Sequence, residues 1–296
     1  MNLGDESVET VIRVLGKCSS ELEPAGKWRW QCLVQNGTRL PLAASVEDGF
    51  LHLVGRPQAN RGTSGSIERA LLGNDKLPGG VKFALNAASR GLHLRTEIVL
   101  VNEAQLLDRF HWALAGFHQG YHRLKSLDFS EGATAAPSEG AAAVSIPELL
   151  RETPWPCTER GPNDFSVDLG ADSAPPARIS TNEHGIDFSV EVVRCTSAAE
   201  VTRQALAIFL LTASGTLRLA RGHAVEDGDQ QRFGFQVCLP PAPTTDESDH
   251  ALAALSIAYR TCVREANALL DDAAARCYLG VRDFQCSTNP ENEKEI

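Results

Sequence analysis

Between Ser130 and Val144 the chain reads Ser-Glu-Gly-Ala-Thr-Ala-Ala-Pro-Ser-Glu-Gly-Ala-Ala-Ala-Val, small and polar with no large side chain to bury. Such a run is expected to be a linker. It leaves two stretches of similar size, each long enough to bury a core of its own. We therefore place a first unit at residues 1–129, the linker at 130–144, a second unit at 145–280 and a polar, disordered tail at 281–296.

The local patterns then run in parallel on the two sides. In the first stretch, Asp5 or Ser7 caps a helix to about Cys18, with Val8, Val11, Ile12 and Leu15 at helical spacing. Lys27 to Val34 alternates, which predicts a strand with Trp28, Trp30, Cys32 and Val34 on one face. Asn36-Gly37 predicts a type I′ hairpin into a strand at 39–45, and Glu47-Asp48-Gly49 turns into a third at 50–55. The loop 62–65 leads to a short helix at 66–72, a hairpin pairs 81–86 with 92–101, and a long helix covers 103–127. In the second stretch, Ser145 and Glu148 predict a capping box on a helix ending near Glu152. Strands follow at 165–169, 177–181 and 186–194. A helix capped by Ser197 runs to Thr212 and stops at Ser214-Gly215, strands 217–223 and 232–239 pair, and a long helix starts at Asp246 and passes Leu270. Both stretches read helix, three strands, helix, two strands, helix. The expected fold class is α+β: two tandem units, each with an antiparallel sheet.

That order of elements, in an acidic unit of this size, resembles the class I type III secretion chaperones, the family of the Tir chaperone. The likeness is one of topology and composition, once per half, and carries no functional residue across. It implies a non-enzymatic protein or peptide binder with two chaperone-like units on one chain, packed as a covalent pseudo-dimer. Family members usually act as small homodimers that hold an unfolded segment of a secreted protein. Residues 205–211, Ala-Leu-Ala-Ile-Phe-Leu-Leu, are apolar around nearly the whole helix, so that helix is buried on more than one side. It lies either between the units, as its counterpart does in the family, or deep in one core. The chain departs from the family in being fused and in its nearly neutral first unit.

Composition narrows the function classes. Hydrophobic residues at 43% and charged ones at 22% are ordinary for a globular protein. Residues 1–130 carry 15 Lys/Arg against 13 Asp/Glu, and residues 131–296 carry 13 against 25. The overall net charge of -10 disfavours a phosphate-backbone binder, so no nucleic-acid partner is expected, and the acidic half suits a basic protein segment. No apolar stretch approaches a membrane span, and the acidic start, Met1 to Glu6, leads us to expect no secretory signal. The eight cysteines form no C-x-x-C pair, and a reduced, cytoplasmic protein is the simplest expectation. Asn36-Gly37-Thr38 matches a glycosylation sequon but reads as a turn.

Chemistry-bearing motifs are sparse. His111, His118 and His122 share one side of the helix 103–127 and are the weak candidates for a metal, but no H-E-x-x-H accompanies them. Gly62 to Ser66 falls short of a G-x-S-x-G elbow, Cys157 after Pro154-Trp155-Pro156 has no assignable base, and Asp227/Asp229 and Asp271/Asp272 read as solvated charge. No catalytic residue and no cofactor is therefore expected. Trp28 and Trp30 belong by default to a core face, and anchor an added peptide strand only if theirs is an edge strand. The alternatives are an enzyme with a site between the units, using the histidine stripe, or a structural subunit of an assembly.

Overall fold

The computed structural model describes residues 5–36, 38–55, 64–86, 91–126, 145–161, 164–170, 174–182, 184–196 and 199–287. Within them the chain is α+β, with two six-stranded antiparallel sheets and seven α-helices. The first stretch holds α1 (Asp5–Cys18), β1 (Ser19–Gly26), β2 (Arg29–Asn36), β3 (Thr38–Glu47), β4 (Phe50–Gly55), α2 (Ser64–Gly73), a 3₁₀ turn (Asn74–Lys76), β5 (Lys82–Leu85), β6 (Leu92–Val99) and α3 (Glu103–Ser126). The second holds α4 (Ile146–Leu150), β7 (Cys157–Gly161), β8 (Asp164–Val167), β9 (Ala177–Asn182), β10 (Gly185–Thr196), α5 (Glu200–Thr216), β11 (Arg221–Asp227), β12 (Gln230–Leu239), α6 (Thr245–Ala268) and α7 (Asp272–Ser287). One sheet has the order β1-β2-β3-β4-β6-β5, and the other, read from its far side, β7-β8-β9-β10-β12-β11. The linker 130–144, Gly37, the loop positions 62 and 63, Ser197 and the end of the tail from 288 lie outside the described residues.

Each sheet has one strand more than the sequence pattern predicts. β1 and β7 pair on one side only and are almost wholly exposed, so they show no alternation to read. β1 displaces the expected position of Trp28. That residue sits in the β1–β2 turn at φ 57°, with the Lys27 ammonium 4.5 Å over its ring, and only Trp30 continues into the buried face of β2. The β3–β4 turn is as expected. Asp48 and Gly49 take φ of 48° and 84°, the two positive values a type I′ turn requires. In α1 the inward stripe is Val8, Val11, Val14 and Leu15, while Ile12, expected with them, is 40% exposed.

Helix ends differ from the expectation in four places. Ser145 makes no side-chain cap, and the capping box lies instead at Thr244 and Glu247, where each side chain meets the other's backbone N–H at 3.1 and 2.7 Å. Helix α5 runs through Ser214-Gly215 to Thr216. The Ser214 hydroxyl donates to Leu210 O at 2.8 Å and accepts from Gly222 N at 2.7 Å, which ties the last turn to β11. The long helix after Thr244 stops at Ala268. Asp271 Oδ1 then accepts Ala274 N at 2.9 Å, and a separate α7 begins. That helix reaches Ser287, so residues 281–287, assigned to the tail, have helical backbone.

Helix α3 covers β6 and β3, with Leu106, Phe110 and Phe117 turned inward, and α6 covers β10 and β12. Helix α5 packs on β11 of its own half and on β5 and α2 of the other, which accounts for the nearly complete apolar circumference of residues 205–211. A close approach makes this possible: a Cβ at Gly222 would stand 2.8 Å from Leu210 Cβ and Leu210 O. No helix among the described residues is long and apolar enough to cross a membrane.

Candidate functional site

The sequence-predicted site residues do not converge. β2 lies between β1 and β3, so Trp30 is on a strand paired on both sides, and the edge that peptide addition needs is not there. His111 is exposed at the α1 contact, its Nε2 3.5 Å from Cys18 Sγ. His118 is half-buried, and burial lowers its pKa below the ordinary imidazole value. His122 is exposed. No group of three or more His, Cys, Asp or Glu among the described residues is placed to hold a metal ion. Cys32 and Cys238 are buried, as their apolar strands predict, and burial raises both thiols.

What the fold does bring together is a set of buried charges where the two halves meet. Lys82 opens β5 and is fully buried; its ammonium donates to Leu217 O at 2.7 Å and Ala220 O at 3.1 Å and pairs with Glu97 Oε2 at 2.9 Å. Both carbonyls belong to the bend before β11, where Leu219 takes φ 57° and gives its N–H to Glu97 at 3.0 Å. Arg221 opens β11 and is equally buried. It reaches back to Leu77 O at 2.7 Å and Val81 O at 3.1 Å, on the bend before β5. The two cations thus sit at matching points and each binds the other half's backbone. Arg95 adds contacts to Glu97 and to Gly215 O, Asn74 donates to Gly222 O at 2.8 Å, and the Trp112 indole donates to His184 O at 3.0 Å.

Electrostatics inside this contact are asymmetric. Burial outweighs the attraction of Glu97 and pushes Lys82 down to about 8. Burial alone would raise Glu97, but the Lys82 and Arg95 charges prevail and hold it below the usual carboxylate range. On the other side Arg221 stands 3.9 Å from Asp187 Oδ1, an atom without a hydrogen-bond donor, while Asp187 Oδ2 is met by Asn182 at 2.5 Å. Lys82, Arg95 and Glu97 satisfy one another, whereas Arg221 Nη2 and Asp187 Oδ1 face each other at ion-pair distance without a hydrogen bond. Their chemistry is that of adhesion between halves.

The surfaces open to a partner are elsewhere. β1 and β7 each leave one edge unpaired among the described strands, whereas β5 and β11 lie against the opposite half. Beside β7 runs a groove of about 530 Å³, floored by Leu150 and Phe165, walled by Pro147, Pro154 and Trp155, and edged by Arg151 and Glu159. Trp155 is fixed there by its indole N–H, 2.7 Å from Asp249 Oδ1. In the sequence this segment stands out only for Cys157, to which no base could be assigned. The Trp between two prolines was the one available signal that an apolar wall stood here. Compared with known proteins, the sequence matches no family model and no curated protein.

Proposed function

We propose that the chain is a non-enzymatic protein- or peptide-binding module. It is built as two chaperone-like α+β units in one polypeptide and packed as an internal pseudo-dimer resembling the type III secretion chaperones. The observation that carries the pseudo-dimer is the reciprocal placement of Lys82 and Arg221, each the first residue of the fifth strand in its half and each bound to carbonyls before the other's fifth strand. The same strand order in both sheets supports it.

The binding reading rests on the edge of β7 and its apolar groove. An extended segment pairing with β7 would gain main-chain hydrogen bonds and place alternate side chains against Leu150, Trp155 and Phe165. The acidic second half favours a basic segment. The test is capture of a partner from source lysate by the full chain, followed by hydrogen exchange on the purified complex. Slowed amide exchange along Cys157–Gly161 or Ser19–Gly26 supports the reading. A stable complex that protects neither edge overturns it, as does turnover of the captured molecule.

A further inference from the structure

The ladder between β7 and β8 fixes which groups of the open edge a partner meets. Asp168 N donates to Pro156 O at 3.1 Å, and from there Cys157 lies opposite Val167, Thr158 opposite Ser166 and Glu159 opposite Phe165. Main-chain groups alternate sides along an antiparallel strand, so those of Pro156 and Thr158 point to β8. Those of Cys157 and Glu159 point to the open edge. Side chains alternate between faces as well. Cys157 and Glu159 share the face of Phe165 and line the groove, whereas Thr158 shares the outer face with Ser166. On that outer face Arg160 Nε donates to the Ser166 hydroxyl at 2.9 Å.

The two faces therefore differ in charge. On the groove face Glu159 is exposed and has no cation at ion-pair distance among the described residues. Arg151, which also lines the groove, already has Glu148 at 4.0 Å. The outer face presents Arg160. A strand laid along this edge sets the residue opposite Glu159 beside a carboxylate and the residue opposite Cys157 over an apolar groove. The residue between them turns toward the guanidinium.

We propose that the β7 edge selects an extended polypeptide segment by the order basic, non-basic, apolar. This rests on the peptide-binding reading above and names the chemistry of the partner. The segment runs antiparallel to β7, as every strand pair of the sheet does and as the stronger of the two pairings. It exchanges hydrogen bonds with the N–H and C=O of Cys157 and Glu159. A lysine or arginine side chain lies opposite Glu159. Two residues later an apolar side chain lies opposite Cys157 and enters the groove against Leu150, Trp155 and Phe165. A basic residue between the two is disfavoured, because it meets Arg160.

The full chain, isotope-labelled, is titrated with two blocked peptides of one composition, Thr-Arg-Thr-Leu-Thr-Val-Thr and Thr-Thr-Arg-Leu-Thr-Val-Thr. Moving the arginine by one place sends it to the other face. Amide shifts along Cys157–Gly161 report binding at β7. The first peptide is expected to bind about two- to fivefold more tightly, the range of an exposed ion pair. Glu159→Lys, at an exposed site and with unchanged melting temperature, should reverse the preference toward a peptide with glutamate in place of the arginine. N-methylation at the arginine should abolish binding and N-methylation at the threonine after it should not, since only the former N–H faces β7. Shifted β7 amides with equal affinities for the two isomers, or with indifference to Glu159→Lys or to the site of methylation, overturn the proposal and leave peptide binding at β7 standing. Shifts that avoid Cys157–Gly161, or none, overturn it together with β7 as the binding edge.

Discussion

Replacing Lys82 by Met tests whether the buried cation holds the halves together. Leu217 O and Ala220 O lose the ammonium as donor, and Glu97 Oε2 loses one of its two. At about 1–3 kcal/mol for each buried group left unpaired, and with Glu97 retaining Arg95 and Leu219 N, the loss is about 5 kcal/mol. Against this, a lysine lowered from 10.5 to about 8 holds its charge in the fold at a cost of about 3 kcal/mol, which Met does not bear. The net destabilisation at pH 7 is about 2 kcal/mol. Its pH dependence has a fixed sign. Between pH 8 and 10 the native Lys82 has released its proton while the unfolded one keeps it, so the unfolded state binds more protons and wild-type stability rises with pH from this group. The gap between wild type and Lys82→Met therefore widens by about 2 kcal/mol over that range. Urea unfolding followed by tryptophan fluorescence, at pH 7, 8 and 10, measures it. A double-mutant cycle with Glu97→Gln adds the pairwise energy, expected to be at least about 1 kcal/mol. A variant as stable as wild type at pH 7, a gap that stays constant with pH, or additive single effects would refute the reasoning.

Three further outcomes follow from named contacts. His223 is lowered to about 3, first by burial and then by the Arg221 and Arg232 charges, so it stays neutral in the fold while the unfolded imidazole takes up a proton below pH 6.5. The stability it supports above pH 6.5 falls by about 2 kcal/mol on going to pH 5, and thermal unfolding of His223→Gln at pH 7 and 5 should show that much less acid loss. Gly222→Ala places a methyl 2.8 Å from Leu210 Cβ and backbone O and forces α5 off β11. A loss of about 1–3 kcal/mol in urea unfolding is expected, and an unchanged midpoint contradicts the close approach. Trp112→Phe removes the 3.0 Å bond to His184 O and should lower stability by about 1 kcal/mol or more, read by chemical denaturation followed by circular dichroism; a neutral effect would mean that the bond does not form in solution.

The legible parts of the fold were those with a local physical signature. The Asp48-Gly49 turn needed two residues tolerant of positive φ and had them, and strand 50–55 is bounded as its pattern predicts. β1 and β7 escaped because an exposed edge strand has no buried face and hence no alternation. Ser-Ser-Glu-Leu-Glu-Pro-Ala-Gly in β1 looks like a loop. Trp28 was misplaced because alternation was followed through a turn whose φ of 57° is unusual for a tryptophan. The apolar circumference of 205–211 did say that the helix is buried on several sides, but not whose side chains bury it. Lys82 and Arg221 could not be found from pattern at all, since one charge at a strand start is normally solvated. Only alignment of the two halves on their fifth strands brings the two residues into register.

In the proposed pseudo-dimer, that register also places the differences between the two halves. Lys82 lies opposite Arg95 on β6, and Arg221 opposite Gln236 on β12. Two residues along β6 stands Glu97, facing His52 on β4; two along β12 stands Cys238, facing Asp187 on β10. The acid is therefore on the sixth strand in one half and on the fourth in the other, with a non-acidic partner across from it each time. Two copies of the first half would repeat Lys82, Arg95, Glu97 and Asp75 and would have neither Asp187 nor Gln236. The fused pair sets Lys82, Arg95 and Arg221 beside Glu97, Asp187 and Asp75, and Gln236 stands where the first half has Arg95, 3.3 Å from Arg221 Nε. Leaving a buried charge without a partner costs several kcal/mol. In the proposed internal pseudo-dimer the two halves are free to diverge in this way, each tuned to the other, which identical subunits joined by a two-fold axis cannot do.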